Sequence, residues 1–166
     1  MNLIACVDTN WGIGKENNLL YNIGEDLHHF AKITRDGIIL MGRNTFLSLN
    51  SHPLNRRINI VLTKSESLKL QNILVVKDID SLSKIVDISR DDLFLIGGEQ
   101  MYRAYCNKCD FAFITKVLDS SREPDRFMVN LDIQDNWKLV DESETYEDSD
   151  LGLSYKFCTY KNLNKN

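Results

Sequence analysis

The chain has 166 residues, of which 43% are hydrophobic and 27% are charged, a composition typical of one globular domain with a sizeable core. Its formal net charge is −4, but residues 141–150 contain six acids and no base, so 20 basic and 18 acidic residues remain elsewhere. This remainder, at +2, does not repel an anionic ligand, and it contains no basic stripe of the kind that binds nucleic acid.

The first predicted element is a buried strand over residues 3–7, with neither a basic segment nor a long apolar run around it. We therefore expect no signal peptide or transmembrane helix, and a cytoplasmic protein whose four cysteines are free thiols. Cys106 and Cys109 have the spacing of a metal-binding pair, but no second pair supplies the other two ligands of a tetrahedral site. Packing at a helix end is the favoured interpretation of this pair.

Further short apolar runs predict strands at 38–41, 58–62, 73–76, 93–96 and 111–115. Their continuous apolar character indicates strands covered on both faces, as in a parallel sheet. Helices are predicted over 25–34, 43–49, 81–88 and 99–105, with Ser81 as the N-cap of the third.

Residues 137–140 and 153–160 alternate in polarity and predict an antiparallel pair, joined by a solvated loop over the acidic residues 141–150. Leu153, Tyr155, Phe157 and Thr159 are expected on one face of the second strand. The sequence as a whole predicts an α/β protein, with one three-layer domain over residues 1–166. Its central sheet is mixed and mostly parallel, with C-terminal antiparallel strands and helices on both faces.

A carboxylate, Asp26, stands at the start of the predicted helix 25–34. It lies beside an apolar stripe that is expected to face inward, formed by Leu27, Phe30, Ala31 and Ile33. A buried carboxyl group is costly to ionise and can hold or relay a proton. An acid in a first helical turn is also favoured by the helix dipole alone, so position does not decide between the two interpretations.

Two strand-to-helix junctions are suited to a phosphate group. In the first, Gly42 ends a strand and is followed by Arg43, Asn44 and Thr45; in the second, Gly97 and Gly98 follow a buried strand. Neither junction is a GxGxxG fingerprint or a Walker loop, and each alone is weak. Thr63-Lys64 and Lys77 follow two other strands, where they are either surface residues or, together, one side of an anion-binding groove.

Taken in chain order, the motifs of this sequence resemble those of dihydrofolate reductases of the bacterial-like chromosomal type, over nearly the whole chain. They are IACV at 4–7, GIGK at 12–15, EDLHHF at 25–30, MGRNTF at 41–46, IGG at 96–98 with Tyr102, Thr115, and DRF at 125–127. The resemblance implies NADPH-dependent reduction of 7,8-dihydrofolate to 5,6,7,8-tetrahydrofolate, with hydride transfer to C6 and protonation of N5. It also implies a role in one-carbon and thymidylate metabolism, binding of antifolate inhibitors, and a monomeric protein.

The resemblance further implies roles for single residues at the substrate. Asp26 would bind the pterin, Thr115 would support its carboxylate, and Tyr21 would bind the active-site water through its hydroxyl. The pterin and benzoyl groups would contact Ile4, Cys6, Leu27, Phe30, Leu49 and Ile96. Arg57 would pair with the α-carboxylate of the glutamate tail, as a bidentate guanidinium suits.

At the cofactor, residues 12–18 would form a mobile loop that closes over the nicotinamide and is latched by Asp125. Gly97 and Gly98 would be joined by a cis peptide bond, and Arg43, Lys64 and their neighbours would favour NADPH over NADH through its 2′-phosphate. The full set of implied cofactor contacts is Cys6, Ile13, Gly14, Asn17, Asn18, Gly42, Arg43, Asn44, Thr45, Ser48, Leu62, Thr63, Lys64, Lys77, Ile96, Gly97, Gly98, Glu99, Gln100, Met101 and Tyr102.

The sequence departs from the family pattern just before Asp26. Leu20, Tyr21 and Gly24 stand in a stretch where two prolines and a tryptophan are usual, which predicts a looser approach to the helix. Two alternatives remain open. One is a pyrimidine reductase of the riboflavin pathway, which shares the fold and cofactor, and the other is a non-catalytic protein that binds NADPH or folate.

Overall fold

The structure is a computed structural model that describes residues 1–65 and 72–165. Its helices are α1 (Gly24–Thr34), α2 (Arg43–Ser48), α3 (Ile79–Ser83) and α4 (Glu99–Tyr105), with 3-10 turns at Cys106–Lys108 and Leu131–Ile133. Its strands are β1 (Asn2–Val7), β2 (Gly12–Lys15), β3 (Asn18–Leu19), β4 (Ile38–Gly42), β5 (Ile58–Leu62), β6 (Leu74–Val76), β7 (Leu93–Gly97), β8 (Phe111–Val117), β9 (Arg126–Phe127), β10 (Trp137–Glu142), β11 (Tyr146–Asp148) and β12 (Leu153–Asn162).

Among the described residues, nine strands form the central sheet, in the order β10-β12-β8-β1-β7-β4-β5-β6, with β11 also paired to β12. The pairs from β8 through β1, β7, β4 and β5 to β6 are parallel, whereas β10, β11 and β8 each pair antiparallel with β12. The predicted mixed, mostly parallel sheet is therefore confirmed. Because β1 lies between β7 and β8, two strands from the second half of the chain, the sheet forms only when both halves are present.

Side-chain alternation along β4 shows why helices cover both faces of the sheet. Ile39 and Met41 pack in an apolar cluster with Phe46 of α2 and, at its edge, Phe30 of α1. Ile38 and Leu40 belong to the opposite cluster, with Leu82 of α3 and Met101 of α4. Successive strand residues point to opposite faces, so a continuous apolar run supplies both cores at once.

The third predicted helix differs from the structure. Helix α3 covers Ile79–Ser83 rather than 81–88, and its N-cap is Asp78, whose carboxylate accepts a hydrogen bond from the Ser81 backbone N–H. The N-cap prediction for Ser81 was wrong because an acid three residues earlier caps the helix instead.

The acidic residues 141–150 are not simply a loop. β10 continues to Glu142, and β11 pairs with the start of β12, so most of this segment is exposed strand and tight turn. On β12 the buried side changes along the strand: Leu153 and Tyr155 are buried in its first half, and Cys158 and Tyr160 in its second half. Phe157 is half-buried between them and Thr159 is not among the buried residues, because the two halves of this long strand cover different cores.

The segment predicted as a mobile loop over residues 12–18 is a β-hairpin. β2 and β3 pair antiparallel around a two-residue turn at Glu16 and Asn17, and β9 pairs with the other edge of β2. Both turn residues have positive φ, 50° and 62°, which is the geometry of a type I′ hairpin turn. The hairpin therefore has its own backbone hydrogen bonds and is not an unstructured strap.

No helix in residues 1–65 or 72–165 combines the length and apolar character needed to cross a membrane.

Candidate active site

Asp26 lies in the first turn of α1 and meets two strands of the central sheet. Thr115 of β8 and Cys6 of β1 lie beside its carboxylate, and each acts on the pKa of that carboxyl as a hydrogen-bond donor. Cys6 and Thr115 are direct partners in the parallel ladder, so their side chains leave the same face of the sheet. The structure thus brings together three predicted site residues that are far apart in the chain.

The surroundings of Asp26 make its protonated form more favourable than it is for an aspartate in water. Burial raises the pKa of the Asp26 carboxyl, and the hydrogen bonds from Thr115 and Cys6 lower it, with burial the larger effect. Burial, followed by the neighbouring Asp26 carboxylate, raises the pKa of the Cys6 thiol well above its usual range. Cys6 is therefore a neutral donor here and not a nucleophile.

Only part of the predicted inward face of α1 is buried. Phe30 and Ile33 pack against the sheet, but Leu27 is 40% exposed and Ala31 is also exposed. The prediction that these last two residues face inward was wrong, because the helix lies over the sheet with Phe30, Ile33 and Thr34 beneath it. Ile4, Phe30, Leu49 and Ile96, four predicted substrate contacts, all belong to one apolar cluster on this side of the sheet.

Arg57 is fixed against the C-terminal end of α1. Its Nε donates to Thr34 Oγ1 at 2.8 Å, its Nη1 to the Asn55 carbonyl at 2.7 Å, and its Nη2 to the Ala31 carbonyl at 3.2 Å. Its guanidinium carbon also lies 5.6 Å from the centre of the Phe30 ring. A guanidinium has five N–H groups, so two remain without a partner among the residues that the structure describes. A cavity of about 310 Å³ opens beside it, lined by His52, Pro53, Leu54, Asn55, Arg56, Arg57, Asn59 and Asn72.

Tyr21 is held by the loop that follows β8. Its hydroxyl donates to Asp119 Oδ2 at 3.0 Å, and the guanidinium of Arg122 lies 5.2 Å from the centre of its ring. This hydroxyl directs its proton to Asp119. Its contact with an active-site water stays a prediction. The sequence motifs contained no indication of this partner.

The β2–β3 hairpin is attached to the segment just before β9. Glu16 N–H donates to Asp125 Oδ2 at 3.0 Å, and Asp125 N–H donates to the Gly14 carbonyl at 3.0 Å. Lys15 forms an exposed ion pair with Glu123 at 3.4 Å. The predicted latch residue Asp125 thus contacts the hairpin through both its side chain and its backbone.

Gly12 permits a close approach at the base of the hairpin. A Cβ at this position would lie 2.3 Å from Cγ and 2.5 Å from Cβ of Pro124. The proline ring is rigid, so any side chain at position 12 would push the two segments apart.

The junctions predicted to bind phosphate lie side by side at one edge of the sheet. In the parallel ladder, Met41 pairs with Gly97, Gly42 with Leu62, and Leu62 with Val76. The carboxyl ends of β7, β4, β5 and β6 are therefore neighbours, followed in space order by Gly98, Arg43, Thr63-Lys64 and Lys77. Such an edge is where open α/β sheets bind their ligands.

The peptide bond between Gly97 and Gly98 is cis, as the resemblance implied. A Cβ on Gly98 would lie 3.1 Å from Thr45 Oγ1, so the two junctions touch through glycine backbone. Tyr102 is buried behind Gly97, and its hydroxyl donates to the Ile4 carbonyl at 2.8 Å. Met101 packs equally closely against Gly42.

The other predicted cofactor contacts include residues on the hairpin, on α2 and at the start of α4. Ile13, Gly14, Asn17 and Asn18 lie on the hairpin, and Asn17 and Asn18 are exposed at its tip. Ser48 lies on the exposed side of α2, where its hydroxyl donates to the Thr45 carbonyl at 2.7 Å, and Glu99 and Gln100 start α4, with Glu99 paired to Arg103 at 3.1 Å.

These residues fit NADPH in chemistry as well as in position. Arg43, Lys64 and the Thr45 and Thr63 hydroxyls supply donors for phosphates beside the glycine junction at Gly97 and Gly98. Among the predicted cofactor contacts, Glu99 is the one acidic residue, and its carboxylate is paired with Arg103.

Comparison with known proteins agrees with this geometry. The dihydrofolate reductase family model matches residues 1–162. The chain belongs to the dihydrofolate reductase family. It is 35% identical to a dihydrofolate reductase of Bacillus subtilis (strain 168), over 99% of this chain and 95% of the relative. It is 34% identical to a dihydrofolate reductase of Ureaplasma parvum, over 81% of this chain and 89% of the relative.

A bifunctional dihydrofolate reductase-thymidylate synthase of Paramecium tetraurelia is 31% identical over 96% of this chain, which covers 34% of that protein. As a dihydrofolate reductase, the chain is an oxidoreductase with NADPH as its cofactor. The family match runs through all the motifs that carried the resemblance.

Proposed function

We propose that this chain reduces dihydrofolate with NADPH in the cleft between α1, β1 and the hairpin, and that Asp26 is its proton-handling residue. The observation that carries the proposal is one carboxylate with a raised pKa, held by donors from two neighbouring strands. A carboxyl group with a raised pKa can bind the N–H groups of a pterin and takes up a proton more readily than an aspartate in water.

The substrate is positioned by residues at the two ends of α1. Asp26 and Thr115 bind the pterin, and the apolar side chains of Phe30, Leu49 and Ile96 contact its flat rings and the benzoyl group. At the far end of the helix, the two remaining N–H groups of Arg57 bind the carboxylate of the glutamate tail. The distance between these two ends of α1 selects a long substrate with a ring at one end and an anion at the other.

NADPH, when bound, supplies the hydride. The chain's own residues place and shield it: Gly97 and Gly98 allow close approach, the β4–α2 junction binds the phosphates, and the hairpin excludes water from the reacting rings. Asp26 holds the proton that N5 of the substrate gains, directly or through water. Tyr102 holds β1 against α4 through the Ile4 carbonyl, which keeps the pocket wall in place.

Turnover of dihydrofolate by the full chain, followed at the NADPH absorbance, tests this proposal. We expect Asp26→Asn to retain NADPH affinity and to lose dihydrofolate reduction about 100-fold or more at neutral pH. The loss should be smaller at low pH, where the substrate arrives already protonated. Glu25→Gln is the matched control, because Glu25 is the exposed neighbour in the same helical turn, with its Oε1 at 3.6 Å from His28 Nδ1.

Near-normal activity of Asp26→Asn at pH 8 would contradict the assigned role. NADPH binding without turnover by the wild-type chain would instead support the non-catalytic alternative. Turnover with a pyrimidine substrate of the riboflavin pathway, and none with dihydrofolate, would support the other alternative.

Finer aspects of the proposal follow from the same family. We propose a single domain over residues 1–166, of which 66–71 and 166 lie outside the described residues. We also propose a cytoplasmic monomer that binds antifolate inhibitors and no nucleic acid. The interleaving of β1 with β7 and β8 supports the single domain, because it joins both halves of the chain in one sheet.

A further inference from the structure

Asp119 contacts both ends of the β2–β3 hairpin. At the entry, its carbonyl accepts hydrogen bonds from Thr9 N–H at 3.1 Å and from Thr9 Oγ1 at 3.2 Å. At the exit, its Oδ2 accepts the Tyr21 hydroxyl at 3.0 Å. Thr9 lies between β1 and the hairpin, and Tyr21 lies between the hairpin and α1. A single residue, Asp119, therefore contacts both connections of the hairpin.

The carboxylate of Asp119 is held by Ser121 as well as by Tyr21. Ser121 N–H donates to its Oδ1 at 3.2 Å, and the Ser121 hydroxyl donates to its Oδ2 at 2.7 Å. The Ser121 hydrogen bonds, the largest effect, hold the pKa of the Asp119 carboxyl below its usual range. Burial, followed by the hydrogen bond to Asp119, raises the pKa of the Tyr21 hydroxyl. At neutral pH the contact therefore joins a neutral donor to an ionised acceptor, which is the stronger kind of hydrogen bond.

Arg122 contacts the two residues that follow the hairpin, Leu20 and Tyr21. Its guanidinium lies 5.2 Å from the centre of the Tyr21 ring, and its Nη1 donates to the Leu20 carbonyl at 3.5 Å. The side chains reflect this boundary, since Leu19 is 62% exposed whereas Leu20 and Tyr21 are 5% and 2% exposed. The hairpin thus changes abruptly from an exposed tip to a fixed base.

We propose that Asp119 is a positioning residue that holds both ends of the hairpin and thereby sets its place over the nicotinamide relative to Asp26. The inference rests on the proposed function for its consequence in catalysis, but the attachment itself concerns the hairpin alone. Asp119 touches neither substrate nor cofactor in this scheme and acts through Thr9 and Tyr21. The hydroxyl of Tyr21, the residue that departs from the family pattern, is what makes the exit contact possible.

Binding and kinetics of Tyr21→Phe and Asp119→Ala in the full chain test the inference. Both variants should bind NADPH about 10-fold more weakly and slow hydride transfer by a similar factor, the worth of one hydrogen bond to a charged group. Their affinity for 2′,5′-ADP should not change, since that fragment lacks the nicotinamide under the hairpin. The double variant should resemble the single ones, because both remove the same contact.

Asp87→Ala is the matched control for the turn itself. The Asp87 carboxylate accepts from Ser89 N–H at 2.9 Å and from the Ser89 hydroxyl at 2.7 Å, the same local arrangement, but it has no contact with the hairpin among the residues that the structure describes. It should bind NADPH as the wild-type chain does. Asp119→Asn, which keeps an oxygen acceptor, should recover part of the loss.

Equal weakening of NADPH and 2′,5′-ADP would overturn the inference, as would additive effects of the two substitutions or wild-type affinity in Asp119→Ala. Amide hydrogen exchange of the hairpin provides a readout that needs no turnover. Exchange at residues 14–18 should be faster in both variants and unchanged in Asp87→Ala, and equal exchange in all of them would also overturn it. Failure of the wild-type chain to reduce dihydrofolate would count against the proposed function alone.

Discussion

At the scale of single residues, the site depends on how far burial outweighs hydrogen bonding at Asp26. A carboxylate that accepted two strong donors in the open would have a lowered pKa. Here one donor is a thiol, which is weak, and burial is the larger effect, so the pKa of Asp26 is raised. The same features that suit Asp26 for proton handling make it a poor residue for stability at neutral pH.

We predict that Asp26→Asn unfolds at a higher urea concentration than the wild-type chain at pH 7. Because the pKa of Asp26 is higher in the folded state than in the unfolded state, the fold binds the proton more tightly, and stability falls as pH rises through the folded pKa. The gain from the amide should therefore be present at pH 7 and vanish below the ordinary range of aspartate. Urea unfolding of both proteins between pH 3 and pH 8 measures this difference, and a gain that grows toward low pH would contradict it.

At the scale of elements, the hairpin and the segment before β9 fit together because one residue lacks a side chain. Gly12→Ala would place a methyl group 2.3 Å from the Pro124 ring, so the segment carrying Asp125 must shift. We predict about a 10-fold higher KM for NADPH in this variant, since the latch to Glu16 weakens by the worth of a charged hydrogen bond. Steady-state kinetics at saturating dihydrofolate provide the measurement.

Gly24→Ala is the control for this substitution. Gly24 begins α1, and a Cβ there would meet nothing within 4 Å. Alanine should leave the KM for NADPH unchanged and stabilise the chain by about 0.5 kcal/mol, because it reduces the entropy of the unfolded state. An unchanged KM in Gly12→Ala would mean that the hairpin position does not depend on this close approach.

The ordered strand ends lead to a prediction about cofactor choice. Lys64 follows β5 next to the β4–α2 junction, where a 2′-phosphate would lie. Lys64→Gln should raise the KM for NADPH about 10-fold and leave the KM for NADH within about twofold, since only NADPH carries that charge. Lys138→Gln, on the exposed face of β10, is the control. Equal effects on both cofactors would show that Lys64 does not meet the 2′-phosphate.

At the scale of the whole molecule, the end of β12 is tied to the middle of the chain by one buried amide. Asn162 Nδ2 donates to the Cys109 carbonyl at 2.9 Å and to the Asn107 carbonyl at 3.3 Å, and its Oδ1 accepts from Asn136 at 3.0 Å. These contacts join the last strand to the turn after α4 and to the segment before β10. The amide is fully buried, and its hydrogen bond to the Cys109 carbonyl is buried as well.

We predict that Asn162→Ala lowers the free energy of unfolding by about 1–3 kcal/mol, because it leaves the buried Cys109 carbonyl without this donor. Activity at 25 °C should be unchanged, since the residue is remote from Asp26 along the sheet. The exposed Asn164→Ala should have little effect on either quantity. Urea unfolding together with dihydrofolate turnover tests the prediction, and a loss of activity without a loss of stability would contradict it.

Much of the fold could be predicted because its strands are local patterns. Continuous apolar runs gave the parallel strands to within one or two residues at most ends, and β5 and α4 have the predicted bounds. The hairpin, β9 and β11 were not predicted as strands. They are two to four residues long and polar or glycine-rich, so their pairing depends on partners elsewhere in the chain and leaves little periodicity in the sequence.

The candidate site divides in the same way. Asp26, the glycine junctions and the basic residues at the strand ends were accessible from the sequence, because each combines a residue type with a position next to an element boundary. Tertiary structure alone decided which of them meet. It paired Cys6 with Thr115 across β1 and β8, exposed Leu27, and directed the Tyr21 hydroxyl to Asp119. Local sequence determines where strands and helices begin, whereas the partners of a side chain depend on residues about a hundred positions away that only packing brings within hydrogen-bonding distance.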